Sequence, residues 1–480
     1  MARFFEDALT YDDVLLVPRR SSVSSRSHVS TETWLTPRIR MNVPIVSANM
    51  DTVTEWRMAV TMARLGGIGI IHRFLSIEDQ VVEVEKVKRI ENFRIERPYT
   101  LTPAATLRDA REAMRRYSVS CLLIAGAEGK LAGLLSNRDI RFETDERRPV
   151  TELMTPRERL IVAHPEITLP EARELLRRHK YEKLPLVDEN GALCGLITSK
   201  DIVRFDEYPQ ATKDEKGRLR VGAALGVKDT LPRAEALLAV GADVLVVDVA
   251  HGHNERALAA ISALRARFGS SVQIIGGNIA TPSGARDLVS AGADAVKVGI
   301  GPGTTCTTRI VAGVGVPQLT AVLRVAEALA GTNIPVIADG GIRYPGDLTK
   351  AMAAGAGSVM LGGLLAGTDE SPGVTVMRNG RKYKIARGMA SLGAAAGRRA
   401  GDGGGGSDEE LSHYVAEGIE AAVPYRGKAE EVVEQLMGGL RSGMSYCNAR
   451  TIGELQANAG FVRITDAGRK ESLPHDVEVL

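Results

Sequence analysis

The feature that most restricts the fold of this chain is the alternation of short apolar runs with amphipathic stretches. From residue 221 onward, five runs rich in β-branched residues alternate with helical patterns such as TLPRAEALLAV. Strand and helix that alternate in this way predict βα units and a mostly parallel sheet. With two earlier runs and one later run, the predicted strands are residues 44–50, 67–72, 243–248, 273–278, 294–299, 334–339, 358–361 and 383–389. Eight βα units close into a (β/α)8 TIM barrel, an α/β fold whose chemistry takes place at the carboxyl ends of the strands.

Two copies of a different pattern interrupt this alternation. Residues 106–139 align without a gap on residues 168–201, at a constant offset of 62. Each copy predicts a helix, a buried strand, a glycine turn, a second strand and a following helix. Because a solenoid needs about three or more repeats, two copies predict a pseudo-symmetric pair packed face to face.

Composition narrows the classes of function. The 480 residues carry 61 Lys and Arg against 59 Asp and Glu, and the net charge of +2 argues against a broad basic surface for nucleic acid. Neither a signal-peptide pattern nor a run of 18 apolar residues occurs, so we expect a cytoplasmic protein without a membrane partner. The four cysteines, Cys121, Cys194, Cys306 and Cys447, form no CxxC pair, and they indicate neither a disulfide framework nor a structural zinc site.

One cysteine follows a glycine-rich segment at the end of a predicted strand. The fifth predicted strand runs into Gly299, Gly301 and Gly303, and Cys306 comes three residues later. Glycines let the backbone approach a ligand closely. Beside hydroxyls and Arg309, at a strand's carboxyl end, a cysteine can be activated as a thiolate nucleophile. The alternative is a buried structural cysteine. We predict that Cys306 is the nucleophile.

Two later segments supply backbone groups that suit an anion. Gly340 and Gly341 follow the sixth predicted strand, and Gly362 and Gly363 follow the seventh. Loops at neighbouring strand ends are the usual phosphate site of such barrels. Asp339, at the end of the sixth strand, can accept hydrogen bonds from ribose hydroxyls.

Nearly the whole chain resembles the IMP dehydrogenase/GMP reductase family. The segments that match its signatures, in order, are PIVSANMDTVTE, DVAHGH, VGIGPGTTCTTR, GVGVPQ, ADGGIRY, MLGGLLAGT, AEGIE and GLRSGMSYC. The resemblance implies a thioimidate between Cys306 and purine C2, which two reactions share. A dehydrogenase forms it by passing hydride from IMP to NAD and then hydrolyses it to XMP. A reductase forms it by expelling ammonia from GMP and then delivers hydride from NADPH to give IMP.

A flap, residues 388–416, distinguishes the two reactions. Family dehydrogenases carry an Arg-Tyr pair there that activates water, and no Arg-Tyr dipeptide occurs in this flap, where only Arg398 or Arg399 can substitute. Gly363 and Ala390 also resemble reductases, whereas the Cys-Thr-Thr-Arg motif and the C-terminal stretch resemble dehydrogenases. We therefore predict a GMP reductase that uses NADPH. The alternatives are an IMP dehydrogenase that uses NAD and a catalytically silent nucleotide sensor.

The resemblance also implies roles for single residues. Thr308 and Glu417 would relay a proton beside Cys306. Residues implied to hold the phosphate are Thr304, Gly341, Gly362 and Gly363; the ribose, Asp339; and the purine, Met50, Met389 and Ala390. Residues implied to contact the nicotinamide cofactor are Asp248, His251, Asn278, Gly299 and Arg309. Backbone carbonyls of Gly301, Gly303 and Cys306, with Glu471 of a neighbouring subunit, would bind K⁺.

The internal repeat resembles a tandem pair of CBS motifs, the regulatory (Bateman) module named after cystathionine beta-synthase, over roughly residues 96–206. This insertion divides the predicted barrel into residues 1–95 and 207–480. In CBS motifs a Ser/Thr-x-x-Asp holds a nucleotide ribose, which implies that Ser136 with Asp139, and Thr198 with Asp201, bind regulatory ATP or GTP. The alternative is that both aspartates cap the helices that follow them. The resemblance further implies a homotetramer or, through CBS pairing, a homo-octamer.

Overall fold

The structure is a computed structural model that describes residues 7–90, 95–395, 415–474 and 476–477, with the backbone alone for residues 201 and 204–206. The chain divides into two compact units. The first comprises Met1–Val87, Gln210–Thr212 and Arg220–Leu480, and the second comprises Lys88–Pro209 and Lys213–Leu219. None of the described helices is long and apolar enough to cross a membrane.

The strands and helices of both units are numbered in chain order. The strands are β1 (Val14–Leu16), β2 (Thr33–Thr36), β3 (Ile39–Met41), β4 (Ile45–Ser47), β5 (Ile68–Ile71), β6 (Thr100–Leu101), β7 (Cys121–Ala125), β8 (Leu131–Ser136), β9 (Thr155–Pro156), β10 (Lys183–Val187), β11 (Leu193–Thr198), β12 (Gly222–Leu225), β13 (Val244–Asp248), β14 (Gln273–Ile279), β15 (Ala295–Val298), β16 (Val336–Asp339), β17 (Ser358–Leu361), β18 (Thr375–Arg378), β19 (Arg381–Arg387), β20 (Glu420–Pro424) and β21 (Phe461–Arg463). The helices are α1 (Trp56–Arg64), α2 (Ile77–Arg89), α3 (Leu107–Tyr117), α4 (Asn137–Ile140), α5 (Val150–Leu153), α6 (Leu169–His179), α7 (Ser199–Glu207), α8 (Thr230–Ala239), α9 (Glu255–Phe268), α10 (Pro282–Ser290), α11 (Thr308–Val311), α12 (Gln318–Ala328), α13 (Pro345–Ala353), α14 (Gly363–Ala366), α15 (Ala429–Tyr446), α16 (Ile452–Asn458) and α17 (Asp466–Glu471).

The first unit is built on a closed barrel of eight parallel strands. Their order around the barrel is β4, β5, β12, β13, β14, β15, β16 and β17, and β17 pairs back to β4. Inward-facing apolar side chains fill the interior, as the alternation of faces along a strand requires. Among them are Val46, Ile68, Val246, Ile275 and Ile337, all fully buried. The predicted (β/α)8 TIM barrel is confirmed.

One of the eight predicted strands is not part of the barrel. The run at 383–389 forms β19, which pairs antiparallel with β18 and β20 outside it. The missing barrel strand is β12, whose sequence Gly-Ala-Ala-Leu has none of the β-branched or aromatic residues that favour strands. Its position between β5 and β13 explains that sequence, since a Cβ on Gly222 would fall 2.4 Å from Ile70 Cδ1. Barrel closure, not local propensity, makes this segment a strand.

Placing β12 in the barrel shifts the number of every later strand by one. The strand that precedes Cys306, β15, is the sixth of the barrel, and the two glycine pairs follow the seventh and eighth strands, β16 and β17. Loops after strands seven and eight are the common phosphate site of this fold. The corrected count therefore strengthens the predicted position of a phosphate.

The N-terminal end of the barrel is closed by the β2–β3 hairpin. Leu35, Ile39 and Met41 of this hairpin are buried in the same core as the barrel interior. Just before it in the chain, β1 pairs antiparallel with β21, which ties the N-terminal segment to the C-terminal one.

The second unit contains two copies of one arrangement, as the repeat predicts. Helix α3 precedes the hairpin β7–β8, and α6 precedes the hairpin β10–β11. Thr106 and Thr168 begin their helices with the same capping box. Both helices end on a left-handed residue, Ser118 with φ 54° and Lys180 with φ 56°. Each copy has its own apolar core, and a third cluster joins residues of both copies. The identity of this unit as a CBS pair stays a prediction.

Candidate active site

A cavity of about 420 Å³ opens at the carboxyl ends of the barrel strands. Its wall includes the ends of β13 and β16, the loop after β15, residues 388–390 and residues 415–418. The predicted site residues that line it are Met50, Asp248, Asn278, Gly299, Gly301, Gly303, Cys306, Thr308, Asp339, Met389, Ala390 and Glu417. The loops that follow separate strands thus converge on one volume, as the barrel requires.

Cys306 lies in this wall with a hydroxyl beside it. Its Sγ is 3.2 Å from Oγ1 of Thr308, the first residue of α11. The Cys306 N–H donates to the carbonyl of Gly303 at 3.1 Å, which fixes the turn that presents the thiol. The other cysteines lie elsewhere: burial raises the pKa of Cys447, while Cys121 and Cys194 belong to the second unit.

Glu417 reaches the cysteine loop through its backbone. The Thr307 N–H donates to the Glu417 carbonyl at 2.8 Å, and a bridge pairs Cys306 with Gly418. The Glu417 N–H in turn donates to the carbonyl of Ala390 at 3.1 Å. The backbone of Glu417 and Gly418 therefore joins the loop that carries Cys306 to residues 388–390.

A buried lysine forms the floor of the cavity, and the sequence analysis did not assign it a role. Lys297 is 2% exposed, and its Nζ lies 2.8 Å from Oδ1 of Asp248 and 2.7 Å from Oδ2 of Asp339. It also donates to Oδ1 of Asn278, whose Nδ2 donates to Asp339 at 3.0 Å. These four side chains come from four neighbouring barrel strands, β13 to β16. They are far apart in the sequence, and the pairing of these strands in the barrel brings them together.

Charge balance keeps Lys297 and Asp248 ionised. Burial would lower the pKa of Lys297, but the neighbouring charges of Asp248 and Asp339 outweigh burial and raise it. Burial would likewise raise the pKa of Asp248, but the charge and hydrogen bond of Lys297 lower it. Asp248 therefore presents a charged carboxylate beside the Lys297 ammonium at the floor of the cavity.

The two glycine pairs lie close to the nucleophile loop, although Gly341, Gly362, Gly363 and Thr304 are not part of the cavity wall. A Cβ on Gly363 would fall 2.7 Å from Oγ1 of Thr304, and a Cβ on Gly362 would fall 3.0 Å from Sδ of Met50. Glycine at 363 therefore allows this loop to approach Thr304 closely, and a side chain at 362 would have to displace Met50 slightly.

Two residues predicted to contact the cofactor lie outside the cavity wall. Arg309 instead holds the nucleophile loop: its Nη2 donates to the carbonyl of Val316 at 2.7 Å, and a Cβ on Gly301 would fall 2.5 Å from its Cγ. His251 is exposed, and its ring lies 6.3 Å from that of His253. A residue within a family motif can either support a loop from behind or contact the ligand. The sequence alone does not distinguish these two roles.

An ion pair that sequence analysis missed supports the part of the cavity wall that contains Met50 and Met389. Arg387, the last residue of β19, donates through Nε to Asp51 at 2.6 Å, and its N–H donates to Oγ1 of Thr52 at 3.2 Å. These bonds join the residue before Gly388 and Met389 to the segment after Met50. The flap residues 396–414, which include Arg398 and Arg399, lie outside the described residues.

In the second unit, the alternative reading of Asp139 as a helix cap is what the structure contains. Its carboxylate accepts both the N–H and the hydroxyl of Ser136 at 2.7 Å, a capping box at the start of α4. Thr198 ends β11, and the side chain of Asp201 lies outside the described residues. A nucleotide site at these residues stays a prediction.

The sequence profile described as the IMP dehydrogenase / GMP reductase domain matches residues 8–475. The chain belongs to this family. It is therefore an oxidoreductase whose family uses a nicotinamide cofactor and acts on purine mononucleotides.

Relatives in this family carry both activities in their names. Inosine-5′-monophosphate dehydrogenase of Aquifex aeolicus is 55% identical over 99% of this chain and 96% of its own, and that of Nitrosopumilus maritimus is 50% identical over 98% and 99%. A crystal structure of a GMP reductase variant from Trypanosoma brucei, in complex with guanosine 5′-monophosphate, is similar with a TM-score of 0.89 and 45% identity over 99% of both chains.

The prediction of a GMP reductase is wrong on these comparisons. Eight curated relatives at 49–55% identity over nearly the full length are named IMP dehydrogenase. The similarity to the reductase structure reflects the fold that IMP dehydrogenases and GMP reductases share. The reductase prediction, and NADPH with it, rested mainly on the Arg-Tyr dipeptide missing from the flap, with Gly363 and Ala390 as lesser support. Loops tolerate insertions and substitutions that break a count of this kind.

Proposed function

We propose that this protein is an IMP dehydrogenase that oxidises IMP to XMP with NAD. The full-length identity to enzymes of that name carries the proposal. The geometry supports it, because Cys306, Thr308 and Glu417 meet at one cavity, as a reaction through a covalent purine adduct requires. Over the whole reaction one hydride passes from IMP to NAD, one water is consumed, and one proton is released.

Cys306 would carry out the first half of the reaction. Its thiolate adds to C2 of the hypoxanthine ring, C2 loses its hydride, and the thioimidate remains on Sγ. NAD, when bound, accepts that hydride. Thr308 Oγ1, at 3.2 Å from Sγ, can donate a hydrogen bond to the thiolate. Met50 and Met389, which both line the cavity, would hold the purine ring for this step.

Thr308 and Glu417 would carry out the second half. Hydrolysis needs a base that takes a proton from water as the oxygen attacks C2. The flap contains no Arg-Tyr dipeptide, so we infer that the base is one of the groups that line the cavity. The backbone bonds between Thr307 and Glu417 and between Cys306 and Gly418 hold the backbone of Glu417 against the loop that carries Cys306, and Glu417 lines the same cavity. We assign Glu417, acting through the Thr308 hydroxyl, as the base.

The cluster of Lys297, Asp248, Asn278 and Asp339 at the floor of the cavity would separate the substrate from the cofactor. Asp339 would accept the ribose hydroxyls of IMP, and Asp248, on the other side of Lys297, would accept those of the nicotinamide riboside. Each carboxylate has an oxygen on Lys297 and therefore a fixed orientation. Thr304 with the glycines of the two adjacent loops would bind the 5′-phosphate through backbone N–H groups.

The nucleophile loop also fits a monovalent cation. Potassium, when bound, would be held by the carbonyls of Gly301, Gly303 and Cys306 and would stabilise the loop conformation. The carbonyl of Gly303 already accepts the Cys306 N–H, but a carbonyl oxygen has two lone pairs and can accept again. Oxygen ligands of this kind suit hard cations.

A spectrophotometric assay at 340 nm tests the proposed reaction. We expect absorbance to rise with IMP, NAD and potassium, and to stay constant with GMP and NADPH. Chromatography should show XMP as the product in the first mixture. If absorbance falls in the GMP mixture and does not rise in the IMP mixture, the proposal is wrong. The same pair of mixtures without potassium reports whether the cation is required.

We further propose that the second unit binds adenine or guanine nucleotides and regulates turnover. Support comes from the two structurally matching copies and from the position of Ser136 and Asp139 at the end of β8 and the start of α4. The assembly into tetramers or octamers that the family resemblance implies stays a prediction.

Asp139→Ala should reduce the response of activity to ATP or GTP. Loss of a charged acceptor for a ribose hydroxyl is expected to raise the half-effective nucleotide concentration by about tenfold or more. The matched control is Asp109→Ala, because Asp109 makes the same capping box with Thr106 at the start of α3. Both variants lose a cap, and only the first should lose the response. An equal response in the two variants would exclude Asp139 from the nucleotide site.

A further inference from the structure

We propose that Tyr11, within the N-terminal segment 9–13, is a positioning residue for the turn Gly340–Gly341 and so for the 5′-phosphate of the substrate. The inference rests on the proposed function for the assignment of the phosphate to this turn. None of the motifs that identify the family suggested it. Three separate features of the structure support it.

The segment 9–13 is fastened to the two helices that flank β16. The N–H of Leu9 donates to Oγ1 of Thr320 on α12 at 2.8 Å, and the N–H of Thr320 donates to the carbonyl of Leu9 at 3.1 Å. On α13, Nζ of Lys350 donates to the carbonyl of Tyr11 at 2.9 Å. The helix before the turn and the helix after it are thus joined by one short piece of chain.

The ring of Tyr11 packs against the turn itself. Tyr11 is fully buried, and a Cβ on Gly341 would lie 3.2 Å from its Cε2. On the other side, a Cβ on Gly340 would lie 3.1 Å from the backbone nitrogen of Gly303 in the nucleophile loop. The turn is therefore confined between an aromatic ring and the loop that carries Cys306. Both glycines have positive φ, 90° and 84°, a conformation that glycine adopts without strain and other residues rarely do.

The ring, not the hydroxyl, makes this contact. Among the described residues the Tyr11 hydroxyl has no hydrogen-bond partner. Burial, with the charge of Asp347, raises its pKa, so the phenol stays neutral. The far end of the turn is held separately, because the Asp347 carboxylate accepts the N–H of Arg343 at 3.0 Å. Loss of the ring would free the near end of the turn while the far end stays fixed.

Phosphate recognition by backbone N–H groups depends on their direction. A hydrogen bond to a charged group contributes fully to affinity only when donor and acceptor are aligned. A turn that loses the ring on one side can rotate its peptide groups away from the phosphate. The loss of binding affinity would therefore arise from the phosphate, and binding of the purine base and of the nicotinamide cofactor would not change.

The test compares Tyr11→Leu, which removes the ring, with Tyr11→Phe, which removes only the unpartnered hydroxyl. Calorimetric titration of the full-length protein with IMP and with inosine isolates the phosphate's share of the affinity. We expect Tyr11→Leu to weaken IMP binding by about tenfold and leave inosine binding unchanged. Tyr11→Phe should bind both as the wild type does. Kinetically, KM for IMP should rise while KM for NAD and kcat hold.

A second variant covers the case in which Tyr11→Leu does not fold. Thr320→Val keeps the side-chain shape but removes the acceptor of the Leu9 N–H, and should weaken IMP binding about two- to tenfold without affecting inosine. Equal losses for IMP and inosine, or no loss in either variant, would overturn the inference. Because the titrations do not depend on turnover, failure of the wild type to oxidise IMP would reject the proposed reaction and leave this test intact.

Discussion

Cys306→Ala is expected to abolish oxidation of IMP while the protein still binds the nucleotide. The thiol supplies the bond on which the whole reaction proceeds, and no water or neighbouring hydroxyl replaces a lost covalent nucleophile efficiently. Loss of a nucleophile from an enzyme of this kind lowers kcat by about 10⁴-fold or more. The cavity keeps its other wall residues, so the affinity for IMP should change by less than about tenfold.

The measurement is kcat by NADH formation, paired with calorimetric binding of IMP. Cys194→Ala is the matched control, since Cys194 is also partly buried, and its Sγ is hydrogen-bonded to the carbonyl of Ala192 in the second unit. It should retain wild-type kcat. Turnover in Cys306→Ala within tenfold of wild type would show that the thiol is not the nucleophile.

Lys297→Met is expected to impair both nucleotide subsites at once. Removal of the buried ammonium leaves Asp248 and Asp339, both partly buried, close together without their shared counter-charge. Breaking a buried ion pair from one side costs roughly 3–5 kcal/mol, so the free energy of unfolding should fall by about that amount. Each carboxylate also loses the bond that orients it. KM for IMP and KM for NAD should therefore both rise, by about tenfold or more.

Lys384→Met separates the effect of the site from the effect of burying a methionine. Lys384 is also buried, and its Nζ donates to the carbonyls of Thr368 at 2.8 Å and Ser371 at 2.6 Å, away from the cavity. Both variants should lose stability in urea unfolding, but only Lys297→Met should raise the KM values. If the two variants have the same kinetic profile, Lys297 has a structural role alone.

The family, and the position of Cys306 after the carboxyl end of a barrel strand, could be predicted from the sequence. The glycine-rich run before Cys306 and the signature segments depend on local order along the chain, which a sequence contains. The repeat was equally plain, and its offset of 62 reappears in the left-handed ends of α3 and α6, at Ser118 and Lys180. Patterns of this kind are set by the backbone conformation of a few consecutive residues.

The choice between two reactions was not readable in the same way. The reductase prediction depended on the flap, where a few residues were weighed against the rest of the chain. Identity over the full length to enzymes named IMP dehydrogenase outweighs that local difference. A covalent intermediate shared by both reactions leaves the same nucleophile, relay and binding residues in either case.

The strand β12 and the contacts between distant residues depended on closure of the barrel and could not be predicted from the sequence. Gly222–Leu225 has little strand propensity of its own, and it is a strand because β5 and β13 leave an edge that only this segment reaches. The ion cluster of Lys297 and the packing of Tyr11 on Gly341 likewise join residues far apart in the chain. Sequence determines which residues follow one another at the end of a strand. Closing eight strands into a ring determines which of those ends meet, because each strand's neighbours are chosen by hydrogen bonding across the whole sheet.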